Sequence, residues 1–327
     1  MIQKEIIKII ADRILGNVKK MDSTGLYNSI AGLSLSLFVA SEYLQDDEIY
    51  NAANDLLSES LLIRNNDISF ENGLSGVGYA LLYLVENNYV EADFDEVFGK
   101  QYETVIQILE NIEKNPLGLL SAMQTVYFLT KAGYVKQEDN RIQVAIQKII
   151  EGLAWFLTVQ FHDFDDIYYI YKKQNILYVF NSYLKLVDYS GYPHFSRSLL
   201  DTYELLYQKG RIISSLEMGY YLNKISIKNN IDKYDGMIHE NIKNGIKNIH
   251  LDTLSLRERI DLAKVLSDLN YKEYQEHRLL PEIAYVQKEK GLQDLSVTTP
   301  ETFSPLGYGA GLGRLLIYCV DNHAELL

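Results

Sequence analysis

The densest group of side chains capable of chemistry lies in the stretch FHDFDDIYY at 161–169, which holds His162, Asp163, Asp165 and Asp166. Carboxylates grouped this way can hold a hard cation through oxygen. An aspartic acid kept in a dry cavity could instead deliver a proton. The plain alternative is an acidic helix cap on an acidic protein. A second group is the run GLSGVG, with Gly73, Gly76 and Gly78. Glycines opening a helix can cradle phosphate. That use requires a preceding strand and an acidic residue about 20 positions later. NNDISFEN, which precedes the run, does not read as a buried strand, and the glycine order G-x-x-G-x-G is reversed. The remaining histidines, His194, His239, His250, His277 and His323, are scattered without H-E-x-x-H spacing, although His250 stands close to Asp252. Cys319 is the single cysteine, which excludes an internal disulfide and a CxxC site. It lies in an apolar run and reads as a small core residue.

Bulk properties narrow the classes. The chain has 327 residues, 47% of them apolar, so a sizeable core is available. It carries 31 basic and 44 acidic residues, a net charge of −13. A nucleic-acid binder needs clustered Lys and Arg, and no basic run longer than two occurs, so neither nucleic acid nor an anionic membrane is expected as a partner. A basic partner suits this charge. The opening MIQKEIIKIIADRIL carries charges through its apolar residues and shows no small-residue cleavage site, unlike a secretory signal. No apolar run approaches the roughly 18–20 residues of a membrane span. The expectation is a cytoplasmic protein.

The elements that must position these residues read as helices. In 100–113 the apolar positions Tyr102, Val105, Ile106, Leu109 and Ile112 recur with helical period. The pattern returns in 141–157 with Ile142, Ala145, Ile146, Ile149, Leu153 and Phe156, and in 238–249 with Ile238, Ile242, Ile246 and Ile249. These are amphipathic helices with one wet face. Between them lie segments apolar nearly all round, beginning near Gly32, Gly73, Gly118, Asn175, Glu217, Leu256 and Gly311. Asp93 and Glu96 fit a capping box, Pro116 and Pro305 fit helix starts, and Pro281 marks a kink or a late start. Only five prolines interrupt the chain, and period-two strand patterns are lacking. Because GLSGVG-like segments recur, their glycines (Gly32, Gly73, Gly76, Gly78, Gly118, Gly309, Gly311 and Gly313) are expected to let inner helices pack closely. Most tyrosines of the inner segments, among them Tyr79, Tyr83, Tyr127, Tyr178, Tyr183, Tyr220 and Tyr221, should fill core.

Alternating amphipathic and buried segments at intervals of roughly 40–60 residues mark a helical-hairpin array. An open array needs polar caps, whereas the last unit, SPLGYGAGLGRLLIYCV, is as apolar as the second. The expectation is one all-α domain over 1–327 that closes into an α/α toroid, a double ring of about seven inner and seven outer helices.

Gly-Leu-x-Gly-Val-Gly ahead of an apolar helix, set in seven hairpins, resembles the lanthionine synthetase C-like (LanC-like) family. NGLSGVGYALLYLVENNYVEADFDEVF is the closest stretch. The resemblance implies the toroid and, for active members, thioether formation between a peptide thiol and a dehydrated Ser or Thr. Those members use zinc held by a Trp-Cys-x-Gly motif in unit five and a Cys-His-Gly motif in unit six, with a His-Gly motif at unit four. This chain departs at each place. Unit five reads RIISSLEMGYYL, with Ser214 or Ser215 roughly where the first cysteine would stand; unit six reads NIHLDTLSLRERIDLAKVL; unit four reads YKKQNILYVF. A hydroxyl does not replace a thiolate on zinc, so neither zinc nor another cofactor is expected. Asp-Phe-Asp-Asp also matches the D-x-D-D proton-donor motif of class II terpene cyclases, in which Asp165 would be the acid.

The expected function is that of a LanC-like protein without the zinc site, a non-catalytic accessory that binds a peptide or partner protein in bacterial, lanthipeptide-type peptide modification. The alternative is a metal-independent or carboxylate-dependent enzyme using His162, Asp163, Asp165 and Asp166 at a cavity mouth.

Overall fold

The structure, a computed structural model, describes residues 2–18, 24–27, 29–62, 66–112, 116–193, 195–250, 254–271, 280 and 311–321. The described residues are all-helical and contain no strand. Fourteen α-helices follow in order: α1 (Ile2–Leu15), α2 (Ile30–Leu44), α3 (Asp47–Leu62), α4 (Leu74–Glu86), α5 (Phe94–Glu110), α6 (Pro116–Ala122) and α7 (Thr125–Val135). Then come α8 (Asn140–His162), α9 (Ile170–Ser190), α10 (Arg197–Gln208), α11 (Leu216–Asn229), α12 (Asp235–Lys247), α13 (Leu256–Asp268) and α14 (Leu312–Val320). Short 3-10 turns stand at Phe164–Asp166 and Asp232–Tyr234. These fourteen helices are those of the described residues. The third inner segment breaks between Ala122 and Thr125 into α6 and α7. The seventh outer segment, with Pro281, Pro305 and Gly309, falls outside the described residues.

The chain divides into two compact units, Met1–Ile108 with Leu251–Leu327, and Leu109–His250. In the first, α2 packs on α1, α3, α4 and α14. It is covered on every side, since every residue from Ile30 to Ser41 is buried. Its serines tolerate this because carbonyls accept their protons: Ser34 Oγ donates to Ala53 O at 2.7 Å, Ser36 to Leu33 O at 2.8 Å and Ser41 to Phe38 O at 2.8 Å. α4 and α14 are buried nearly as completely. α14 lies against α1, and Gln3 Nε2 donates to the Cys319 carbonyl at 2.6 Å, so the first and last described helices meet. Cys319 is buried, as its apolar run implies.

Gly73 and Gly76 of GLSGVG meet loop backbone. A Cβ on Gly76 would stand 2.1 Å from Phe70 O and 2.4 Å from Leu26 N; one on Gly73 would stand 2.2 Å from Asp67 O. These neighbours are loop backbone, not a second helix. The loop before α2 pairs with the loop before α4 through Leu26 N–H to Phe70 O at 3.1 Å and Tyr27 N–H to Glu71 O at 3.0 Å. Gly76 lets the start of α4 sit against both. Gly32, Gly78, Gly311 and Gly313 are buried and Gly118 is half-buried.

In the second unit α8 is the organising element, contacting α6, α7, α9 and α10. α6 rests on α8 at Gly152, where a Cβ would meet the Leu119 side chain. Phe161, Phe180 and Tyr203 cluster with ring centroids 4.8–5.9 Å apart. Leu157 and Phe161 hold the deep positions expected of Phe156, which is half-buried. α11 and α12 approach through glycines: a Cβ on Gly245 would stand 2.2 Å from Leu216 N, and one on Gly219 2.9 Å from Ile242 N. That approach turns Asn241 and Gly245 of α12 inward, leaving Ile242 and Ile246 half-buried. α9 is held to α11 by the buried Asp188 carboxylate, which pairs with Lys224 at 2.6 Å and Lys228 at 2.5 Å. By length and composition alone α8 is long and apolar enough to cross a membrane.

Candidate functional site

The acidic stretch at the end of α8 forms a solvent-facing turn. Phe164 is buried and packs edge-on against Phe161 at 6.0 Å, which pins the 3-10 turn and leaves its polar residues outward. His162 Nδ1 lies 3.0 Å from Asp163 Oδ1, with the two side chains 85% and 60% exposed. Asp165 Oδ1 lies 3.1 Å from Arg211 Nε. Asp166 is exposed. The structure therefore brings these four residues to one surface turn, where Asp165 stands in water beside a guanidinium. Delivering a proton to an alkene requires a dry pocket around the acid.

The serines of unit five have structural roles. Ser215 is the N-cap of α11, its Oγ accepting from Met218 N–H at 3.4 Å. Ser214 Oγ and Tyr207 Oη are 2.8 Å apart. Beneath them Tyr203 donates to Asn241 Oδ1 at 3.3 Å, and the same oxygen accepts from Ser215 N–H at 3.3 Å. Burial pushes the Tyr203 phenol up. His239 and His250 are exposed, while Asp252, His194, His277 and His323 fall outside the described residues. Among the described residues no three or more His, Cys, Asp or Glu side chains converge.

A groove of about 320 Å³ opens elsewhere in the second unit, lined by Ile150, Glu151, Ala154, Trp155 and Thr158 of α8, Tyr183 of α9 and Ser196 ahead of α10. Glu151 and Trp155 fall one helical turn apart on the wet face of α8, opposite the deep positions Leu153 and Leu157. Trp155, the only tryptophan of the chain, is 62% exposed. Glu151 Oε1 accepts from Tyr192 Oη at 2.8 Å and Gln147 Nε2 at 3.0 Å, which fixes the carboxylate. Burial pushes the Tyr192 phenol up to about 12, and its bond to Glu151 adds to this. Tyr183 is fully buried, with its ring stacked 6.0 Å from Phe195. Burial raises its phenol as well, the Ser196 backbone N–H partly offsetting this. No acceptor takes its proton.

The sequence reading placed Tyr183 with the core tyrosines and gave Glu151 and Trp155 no role. The signal available was Trp155 itself, a large apolar residue out of phase with the buried stripe of its helix. No protein-family model, curated protein or solved structure matches this chain.

Proposed function

We propose that the chain is a LanC-like α/α toroid without the zinc site, acting as a non-catalytic accessory that binds a peptide or partner protein in a bacterial peptide-modification system. The observation that carries this reading is the use of Ser214 and Ser215. At the place where the resemblance implies a zinc thiolate, one hydroxyl caps α11 and the other meets Tyr207. Closure into a ring is part of the proposal; the packing of α14 on α1 and α2 supports it. A binding role is supported by the large apolar side chains that the second unit leaves exposed, including Trp155, Tyr168, Ile170 and Tyr171.

The test uses the purified chain, zinc and a peptide containing both cysteine and dehydroalanine. Metal analysis after dialysis should find zinc well below one per chain, calorimetry should detect saturable peptide binding, and the rate of thioether formation should equal that without protein. One zinc per chain with accelerated cyclisation would establish a working cyclase instead. Absence of any peptide binding would remove the accessory role.

A further inference from the structure

Residues 168–171, at the start of α9, read YYIY. All four are exposed, Tyr168 to 96% and Ile170 to 73%. Four consecutive large side chains in water are a liability unless something covers them. The run is anchored at both ends. Phe164 is buried ahead of it, and Lys173 Nζ, just after it, lies 4.9 Å from the Phe164 ring centroid. Within the run the Tyr169 and Tyr171 centroids are 5.6 Å apart, and Lys172 Nζ stands 5.6 Å from that of Tyr169.

The charges around the run match themselves when reversed. Residues 165–173 read DDIYYIYKK, with carboxylates ahead of the aromatics and lysines behind. Turned about Tyr169, the positions of Asp165 and Asp166 fall on those of Lys173 and Lys172, and that of Tyr168 falls on Ile170. Asp163, Asp165 and Asp166 are balanced by Lys172, Lys173 and Arg211, which pairs with Asp165, whereas the whole chain carries −13. A basic partner would be drawn to the acidic surface at large. A run that is locally neutral and reverses its own charge order fits a copy of itself.

We propose that two copies of this chain meet through residues 165–173 about a two-fold axis near Tyr169. Each copy covers the YYIY of the other, and Asp166 faces Lys172 of the second copy twice, the pattern of an isologous contact. Asp165 is already held by Arg211, while Asp166 is exposed and makes no ion pair among the described residues. The run offers roughly 600 Å² on each copy, against about 800 Å² per partner in a standard interface, so the association is weak and micromolar. This goes beyond the accessory reading: it gives residues 168–171 to a second copy and leaves the groove at Trp155 to a peptide.

Sedimentation velocity of the full chain tests it at about 150 mM salt, where repulsion between two acidic chains is screened beyond about 8 Å. The chain should pass from monomer to dimer between about 1 and about 100 μM. Asp166→Lys alone and Lys172→Asp alone should each weaken the dimer at least about tenfold, because like charges then face each other twice. An equal mixture of the two single variants should associate again, since a two-fold contact pairs each altered residue with its complement. Tyr168→Ser should weaken the dimer about tenfold and leave the unfolding temperature of the dilute monomer within about a degree, because the side chain packs on little of its own chain. A chain that stays single at the highest concentration, a dimer indifferent to Tyr168→Ser, or a mixture that fails to associate would overturn the proposal. A monomer that sediments with phosphatidylcholine vesicles, and loses this in Tyr168→Ser, would assign the run to a lipid surface instead. Peptide binding is read separately by calorimetry: a monomer that binds peptide removes the dimer and keeps the accessory reading, and a dimer that binds no peptide does the reverse.

Discussion

The all-round apolar helices of the first unit and the helices of the second use their apolar residues differently. In the first, α2, α4 and α14 are covered on nearly every side, and serines and glycines occupy positions where a larger side chain would hold the backbone apart. In the second, α8, α9 and α11 bury one face each. Trp155, Tyr168, Tyr171, Tyr178, Ile213 and Ile227 are left in solvent. A helix covered all round has no face to offer a partner; its sequence is committed to packing. A helix covered on one side keeps the other for recognition. Under the proposed function the first unit serves as scaffold and the second carries the binding surface.

The strongest way to break that assignment is to add one methyl group to each unit. Gly76→Ala places a Cβ 2.1 Å from Phe70 O, a backbone atom held in the paired loops. We expect a loss of about 3 kcal/mol by denaturant unfolding, or failure to fold. Gly152→Ala in α8 places its Cβ 2.6 Å from Leu119 Cδ1, the movable end of a side chain. Its cost should stay within about 1 kcal/mol, since alanine also favours the helix interior. Equal costs would show that both units are packed alike.

Ser215→Ala should cost about 1 kcal/mol through loss of the α11 cap. The cost should be the same with and without added zinc. A stability difference that appears only with zinc would make Ser215 part of a metal site rather than a cap.

Alkaline titration sharpens the account of the groove. A phenol whose folded pKa is raised from its ordinary value of 10.0 to about 12, as in Tyr192, holds its proton more tightly folded than unfolded. Its contribution is fully present below pH 10 and disappears as pH rises through 12. Melting temperature should therefore fall across pH 10–12, and less steeply in Tyr192→Phe. An identical slope in that variant would mean that Tyr192 is as free in the fold as in the unfolded chain.

The smallest expected effect is the most telling. Trp155→Ser removes a side chain that is 62% exposed, so stability should change by no more than about 0.5 kcal/mol. A destabilisation of 2 kcal/mol or more would place Trp155 in the core and end the contrast between the units.

The helical elements were legible in the sequence because helical periodicity is a local property. The stripe Tyr102, Val105, Ile106 and Leu109 is buried in α5, and Asp93 caps that helix by accepting from the N–H groups of Asp95 and Glu96. Pro116 opens α6. The break between α6 and α7 was not legible, since the residues around it remain apolar. Nor was the inward turn of Asn241, which follows from the close approach of Gly245 to Leu216. The acidic stretch stood out by composition, yet its surface exposure depends on Phe164 being anchored beneath it. The groove was hidden because its members come from α8, α9 and the Ser196 cap, and only Trp155 stood out within its own element.

The order of residues alone determined that the chain is helical, where most helices lie and that cysteine chemistry is confined to one buried thiol, because hydrogen bonding and side-chain period within a helix involve only near neighbours. Which helices are sheathed completely, what Gly73 and Gly76 touch and which segments line the groove beside α8 were decided by tertiary packing. Those depend on surfaces that distant segments bring together, and a local period carries no information about them.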